Sequence, residues 1–192
     1  MCVAYLDESE PSLIGPVYVV AAAVLDEDDR ESVSASLRNL SRPGRSKLHW
    51  YEERYVRERQ RIVEAIARYP VRYHAVVRTC AETETAERRR RKSLMALLAD
   101  LDELDVRHVV LEARESKQNK RERMWLNSLR SQGVGGSAAW FDHVAGAKEP
   151  LLWLPDVIAG VVGAGLRGET RYGERLRDVL TVRSVAAGCT DR

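Results

Sequence analysis

Residues 17–25, Val-Tyr-Val-Val-Ala-Ala-Ala-Val-Leu, form an unbroken apolar run directly after Gly15-Pro16. The run is about half the length that spans a bilayer, and it lacks the alternation of a strand with one wet face. It predicts a strand buried on both faces. A second apolar segment, Cys2-Val3-Ala4-Tyr5-Leu6, precedes it, and the polar stretch 8–16 between the two predicts an antiparallel hairpin.

The rest of the chain alternates helical and strand patterns. Val33, Leu37 and Leu40 give residues 26–40 a helical spacing, and residues 41–46 carry the turn residues of a loop. An apolar stripe through Tyr55, Ile62, Val63, Ile66 and Ala67 predicts a helix over 50–69, stopped by Pro70. Residues 71–77 have strand composition. A helix over 83–104 buries Leu94, Leu97, Leu98 and Leu101, a strand follows over 106–113, and a charged helix over 116–130. Residues 132–136 predict a flexible connection, 138–141 a short final strand, 155–167 a buried helix, and 172–182 a shorter amphipathic piece. Strands interleaved with helices after a hairpin give a single α/β domain, a mixed sheet flanked by helices.

Composition narrows the function classes. Hydrophobic residues at 44% and charged residues at 31% suit a globular chain of 192 residues with one substantial core. Net charge is +2, so any nucleic-acid site must come from local clustering. Cys2, Cys80 and Cys189 lack metal-ligand spacing and read as the reduced thiols of a cytoplasmic protein. Acids by position 7 without a basic start argue against a signal peptide, and no membrane segment is expected. There is no Gly-x-Ser-x-Gly elbow, no zinc spacing and no Walker or Gly-x-Gly-x-x-Gly phosphate loop.

The chemistry-bearing positions are carboxylates. Asp7 and Glu8 close the first strand, where buried acids without a counter-charge are costly. A strand tip opening onto a cleft accommodates them when a cation neutralises them; a solvated strand end is the alternative. Because side chains alternate along a strand, the two cannot face the same side. Near the other end, Leu151 to Val162 is apolar or small except for Asp156, placed after Pro155 in a helix first turn. The third acid is Glu112, near the end of the strand over 106–113; an ion pair with Arg114 is its structural alternative.

Taken in order, the box Tyr5-Leu6-Asp7-Glu8-Ser9, the segment Lys47-Leu48-His49-Trp50, the strand 109–114 and the box 152–160 resemble the bacterial domain-of-unknown-function family 3800. That family carries a DESG box near its N-terminus and an LQLADLVAG-like box near its C-terminus. The resemblance spans roughly residues 3–167 and implies a ribonuclease H-like fold, with metal-dependent nuclease chemistry. Three positions depart from the family pattern: Glu10 replaces glycine, Pro155 replaces alanine, and Glu112 stands where aspartate is common.

Two-metal phosphodiester cleavage needs carboxylates converging from different elements. If the strands of Asp7 and Glu112 are parallel neighbours, their C-terminal ends share one sheet edge. Asp7, Glu112 and Asp156 then form a cage for Mg²⁺ or Mn²⁺, with Glu8 as the reserve ligand. His49 would orient the attacking water or contact phosphate, or simply cap a core edge. Glu52 or Glu53 could add a helix-borne acid, and Asp142 and His143 could join from beyond the last strand. Two basic clusters could hold the substrate backbone: residues 88–92, and Lys117, Lys120, Arg121 and Arg123 just after Glu112. Gly160, Gly163 and Gly165 suggest a close approach to the last helix, by the sheet or by a second copy in a homodimer. The sequence thus points to a metal-dependent nuclease acting on RNA or DNA, with a catalytically inactive nucleic-acid- or protein-binding module as the rival.

Overall fold

The computed structural model describes residues 1–11, 15–41, 44–132 and 140–187. Six strands make one mixed sheet. β1 (Cys2–Ser9) and β2 (Val17–Asp26) form the expected antiparallel hairpin, with Leu6 opposite Ala22 and Asp7 opposite Ala21. β3 (Arg72–Thr79) continues antiparallel to β2. β4 (His108–Glu112) returns to the other side of β1 and runs parallel to it, with Leu6 paired to Leu111. β5 (Trp140–Val144) lies parallel to β4, and β6 (Leu180–Val185) parallel to β3, giving the order β5-β4-β1-β2-β3-β6.

Both faces of this sheet are covered, as the unbroken apolar run of β2 requires. One core joins Val3, Tyr5, Val19, Ala21 and Val110 to α1 (Arg30–Leu40), α2 (Val56–Ile66) and α5 (Trp153–Leu166). The other joins Ala4, Leu6, Val20, Ala22, Val109 and Leu111 to α3 (Ala86–Glu103) and α4 (Ser116–Ser131). Odd residues of β1 and even residues of β4 therefore face α5. The small side chains of Ala21 and Ala23 let that apolar helix sit directly on the sheet.

Several boundaries differ from the sequence reading. The helix expected over 50–69 is a 3-10 turn, Trp50–Glu52, followed after a break by α2; Glu53 to Tyr55 have extended backbone or lie outside the helix. Pro155 is the third residue of α5, because a 3-10 turn, Pro150–Leu152, leads into the helix two residues early. It still falls within the first four residues of the helix, whose N–H groups have no acceptor inside the helix itself. The short strand expected over 138–141 is β5, which runs three residues further, to Val144, and is not the last. The piece expected over 172–182 splits into the single turn α6 (Arg171–Glu174) and the sixth strand. That strand sits at the sheet edge, where Val182 is 47% exposed, so its sequence never acquired a buried pattern. The connection expected over 133–136, residues 138 and 139, and Cys189 lie outside the described residues. Cys2 and Cys80 are free thiols, and no helix among the described residues is long and apolar enough to cross a membrane.

Candidate functional site

Strand parity sorts the first acid pair. Asp7 follows Val3 and Tyr5 onto the α5 side, while Glu8 follows Ala4 and Leu6 onto the opposite side. Glu112 follows Val110 onto the α5 side, and the pairing of Leu6 with Leu111 puts it beside Asp7 at the C-terminal edge of two parallel strands. Asp156 reaches the same edge from the first turn of α5.

Electrostatics register the meeting. A rim of Asp7 reaches solvent, yet burial pushes its carboxyl well above the ordinary carboxylate range, with Asp156 and then Glu112 adding to the rise. The Glu8 backbone N–H donates to Asp7 Oδ1 at 2.8 Å and opposes that rise without cancelling it. Asp156, 8% exposed, is also shifted upward, chiefly by burial. His49, the Trp50 N–H and Lys47 pull it back down.

The segment before α2 supplies the rest of the site. Trp50 is fully buried, edge-on to Tyr172 at 5.1 Å, with the Arg59 guanidinium 4.7 Å over its ring. Its backbone N–H donates to Asp156 Oδ2 at 2.8 Å. So anchored, the segment sets His49 Nδ1 3.4 Å from Asp156 Oδ1. Tyr51 hydrogen-bonds the tip of β1 through Ser9 Oγ at 3.0 Å. Lys47 Nζ donates to both oxygens of Glu112, at 2.8 and 3.0 Å. That contact replaces the Glu112–Arg114 pair considered from the sequence; Arg114 instead faces Glu122 and Glu87, each at 3.5 Å.

The cage residues Asp7, Glu112 and Asp156, with His49, are thus brought together. Glu8 is not: it meets Arg90 at 2.5 Å on the far face of the sheet. Arg90, 4% exposed, also pairs with Glu122, whose other oxygen is 2.8 Å from His143 Nε2. Asp142 pairs with His108 at 2.9 Å. Asp142 and His143 therefore belong to β5 and its neighbours rather than to the site. Glu53 is buried against Arg45 at 2.5 Å, and Glu52 is exposed near the same arginine.

The basic clusters separate in the same way. In residues 88–92, Arg89 pairs with Glu10, Arg90 with Glu8, Arg91 with Glu87 and Lys92 with Glu84, leaving a solvated Arg88 only 3.9 Å from Glu84. By contrast Lys117, Lys120, Arg121 and Arg123 are exposed and make no ion pair among the described residues. α4 covers the face opposite α5; as a helix joining two parallel strands it starts at their C-terminal edge, with Lys117 at that end and Arg123 about 9 Å further along. Of the three glycines, only Gly160 is required by packing. A Cβ there would lie 2.1 Å from the Trp50 ring, whereas Gly163 leaves ordinary contact distance and Gly165 open space.

Reasoning from sequence missed Lys47. The residue stood in a quoted motif, two places before His49, but nothing local marks a lysine as the partner of a glutamate 65 positions away.

Three carboxylates are oxygen donors of the kind Mg²⁺ and Mn²⁺ take, and the raised carboxyls of Asp7 and Asp156 are those of a cluster short of positive charge. The donor chemistry fits a divalent cation. The present rotamers are not closed around one: among the described residues no three His, Cys, Asp or Glu side chains are set to hold a metal ion.

Solved structures share this architecture. The PCNA:RNase HII complex from Archaeoglobus fulgidus matches with a TM-score of 0.57 at 15% identity, over 93% of this chain and 77% of that one. Ribonuclease H2 from Pyrococcus horikoshii OT3 matches with a TM-score of 0.55 at 14% identity, over 93% and 76%. The fold is ribonuclease H-like, the class expected. No protein-family model and no curated protein sequence matches the chain.

Proposed function

We propose that this protein is a divalent-metal-dependent nuclease that hydrolyses phosphodiester bonds of RNA or DNA, as its resemblance to the 3800 family implies. The observation that carries the reading is the meeting of Asp7, Glu112 and Asp156 at one sheet edge, close enough that the second and third raise the carboxyl of the first. Fold likeness to ribonucleases HII supports it at the level of architecture.

Asp7, Glu112 and Asp156 would hold Mg²⁺ or Mn²⁺. Bound there, such ions supply Lewis-acid stabilisation of the phosphate and a more acidic water. Asp7, whose carboxyl both other acids raise, would be the central ligand of the three. His49, held against Asp156, orients the water or a phosphate oxygen. The Trp50 N–H fixes Asp156 in one rotamer, so the carboxylate need not reorganise when substrate arrives. Lys117 and Lys120, at the start of α4, meet the nucleic-acid backbone first; Arg121 and Arg123 extend that contact.

A second reading, a binding module with little or no catalysis, is favoured by Lys47, which engages both Glu112 oxygens. Labelled RNA and DNA, single- and double-stranded, separate the two readings. Products that form with Mg²⁺ or Mn²⁺ but not with EDTA establish the nuclease. Intact substrate under every condition, with retained binding, establishes the module.

A further inference from the structure

We propose that Lys47 is the internal counter-cation of the acidic cluster, seated on Glu112 until a divalent cation displaces it. The inference rests on the metal-dependent reading above and adds a residue to which that reading assigns no role.

Three observations converge on it. Lys47 Nζ bonds both carboxylate oxygens of Glu112, so it takes up the atoms that acid would offer a metal. Its charge is felt beyond that pair. Asp156 and Asp7 stand at the same sheet edge within reach of its charge. One ammonium among three carboxylates leaves the cluster under-neutralised, and Asp7 makes no ion pair among the described residues.

The seat itself is shaped. A Cβ on Gly146 would fall 2.3 Å from Glu112 Oε1 and 3.3 Å from Lys47 Nζ, so a residue without a side chain makes room for the pair. Trp153 Nε1 holds the Gly146 carbonyl at 2.8 Å and keeps that backbone in place. On the lysine side, buried Leu48 and Trp50 fix the backbone, while the side chain remains 22% exposed. A long, flexible stem from a fixed root can swing outward without moving the fold. A divalent cation brings two charges and accepts several oxygens at once. It would therefore win Glu112 only against this tethered competitor, whose effective concentration is high because it never leaves.

Calorimetric titration of the full chain with Mn²⁺ and with Mg²⁺ tests this. Lys47→Met should bind the metal about twofold to fivefold more tightly than wild type, the range for a partly exposed ion pair. Lys47→Arg, which keeps a bidentate cation, should bind no more tightly than wild type. Equal or weaker binding by Lys47→Met overturns the proposal while leaving the nuclease reading intact. Absence of binding in both wild type and Lys47→Met overturns the two together. Should Lys47→Met fail to fold, Mn²⁺-soaked wild-type crystals decide. An anomalous peak at Glu112 with Nζ out of hydrogen-bond range supports displacement, and Nζ still on Glu112 beside a bound metal refutes it.

Discussion

The Trp50 backbone N–H and Asp156 Oδ2 are 2.8 Å apart, a buried hydrogen bond between residues separated by 106 positions. It ties the rotamer of one site acid to the largest fully buried side chain, on the α5 side of the sheet.

The bond makes Asp156 structural as well as chemical. Asp156→Ala orphans a buried N–H and should lower unfolding stability by about 1–3 kcal/mol in urea titrations. Asp156→Asn keeps an oxygen acceptor and should hold most of that stability. It should nevertheless lose the rise in melting temperature that Mg²⁺ or Mn²⁺ gives wild type by binding the native state. An equal rise in both proteins would remove Asp156 from the metal site.

Gly160 and Gly165 should respond oppositely to alanine. At Gly160 the new methyl meets Cδ1 and Cγ of Trp50 at 2.1 and 2.2 Å, and that ring has nowhere to go. A loss of about 3 kcal/mol is expected from overpacking. At Gly165 nothing lies within 4 Å, so alanine should stabilise by up to about 1 kcal/mol through helix propensity. Chemical denaturation of the two variants side by side checks the order.

Asp7 predicts a conflict between stability and activity. Its folded-state pKa lies above the ordinary value of 3.8, so the native protein binds more protons than the unfolded chain as pH rises from there. Stability from this group is complete below about pH 3.8 and is lost as pH climbs through the raised folded value. Asp7→Asn removes the charge and keeps the shape. In EDTA at pH 7 it should be more stable than wild type, with a flatter stability–pH curve, while cleavage with metal falls by several orders of magnitude. A variant less stable than wild type in EDTA at pH 7 would contradict the electrostatic account.

Arginines of α3 and α4 should fail differently. Arg121→Ala with Arg123→Ala should leave stability unchanged and weaken nucleic-acid binding. The log–log salt slope should flatten by about 0.9 per lost duplex phosphate contact. Arg90→Ala strips Glu8 of its cation, leaves buried Glu122 with only the more distant Arg114 and His143, and should cost about 3 kcal/mol. Filter binding across salt concentrations, paired with denaturation, separates the roles. An unchanged slope in the double variant would assign those arginines to a solvated face.

Much of the site was legible from strand parity. Alternation alone put Asp7 and Glu8 on opposite faces, and the structure gives Asp7 to the α5 side and Glu8 to Arg90. Apolar continuity marked β2 as buried on both faces and set Asp156 apart as the one acid in the apolar stretch 151–162. Edge elements were less legible. β6 carries no continuous apolar signal because one of its sides has no neighbouring strand.

The ribonuclease H-like class came from the resemblance of a few short boxes to a known family; by itself the sequence determined the strands and helices whose burial imposes a period, and the opposite faces of Asp7 and Glu8. These follow from relations between residues a few positions apart, which spacing records. Only the tertiary structure decided that Lys47 sits on Glu112, that Trp50 holds Asp156 and needs Gly160, and that the basic run 88–92 is spent on partners while the cations of α4 stay exposed. Those outcomes depend on which distant segments the sheet register and helix docking bring within a few ångströms. A charged side chain looks the same in sequence whether its partner is water or a carboxylate from another strand.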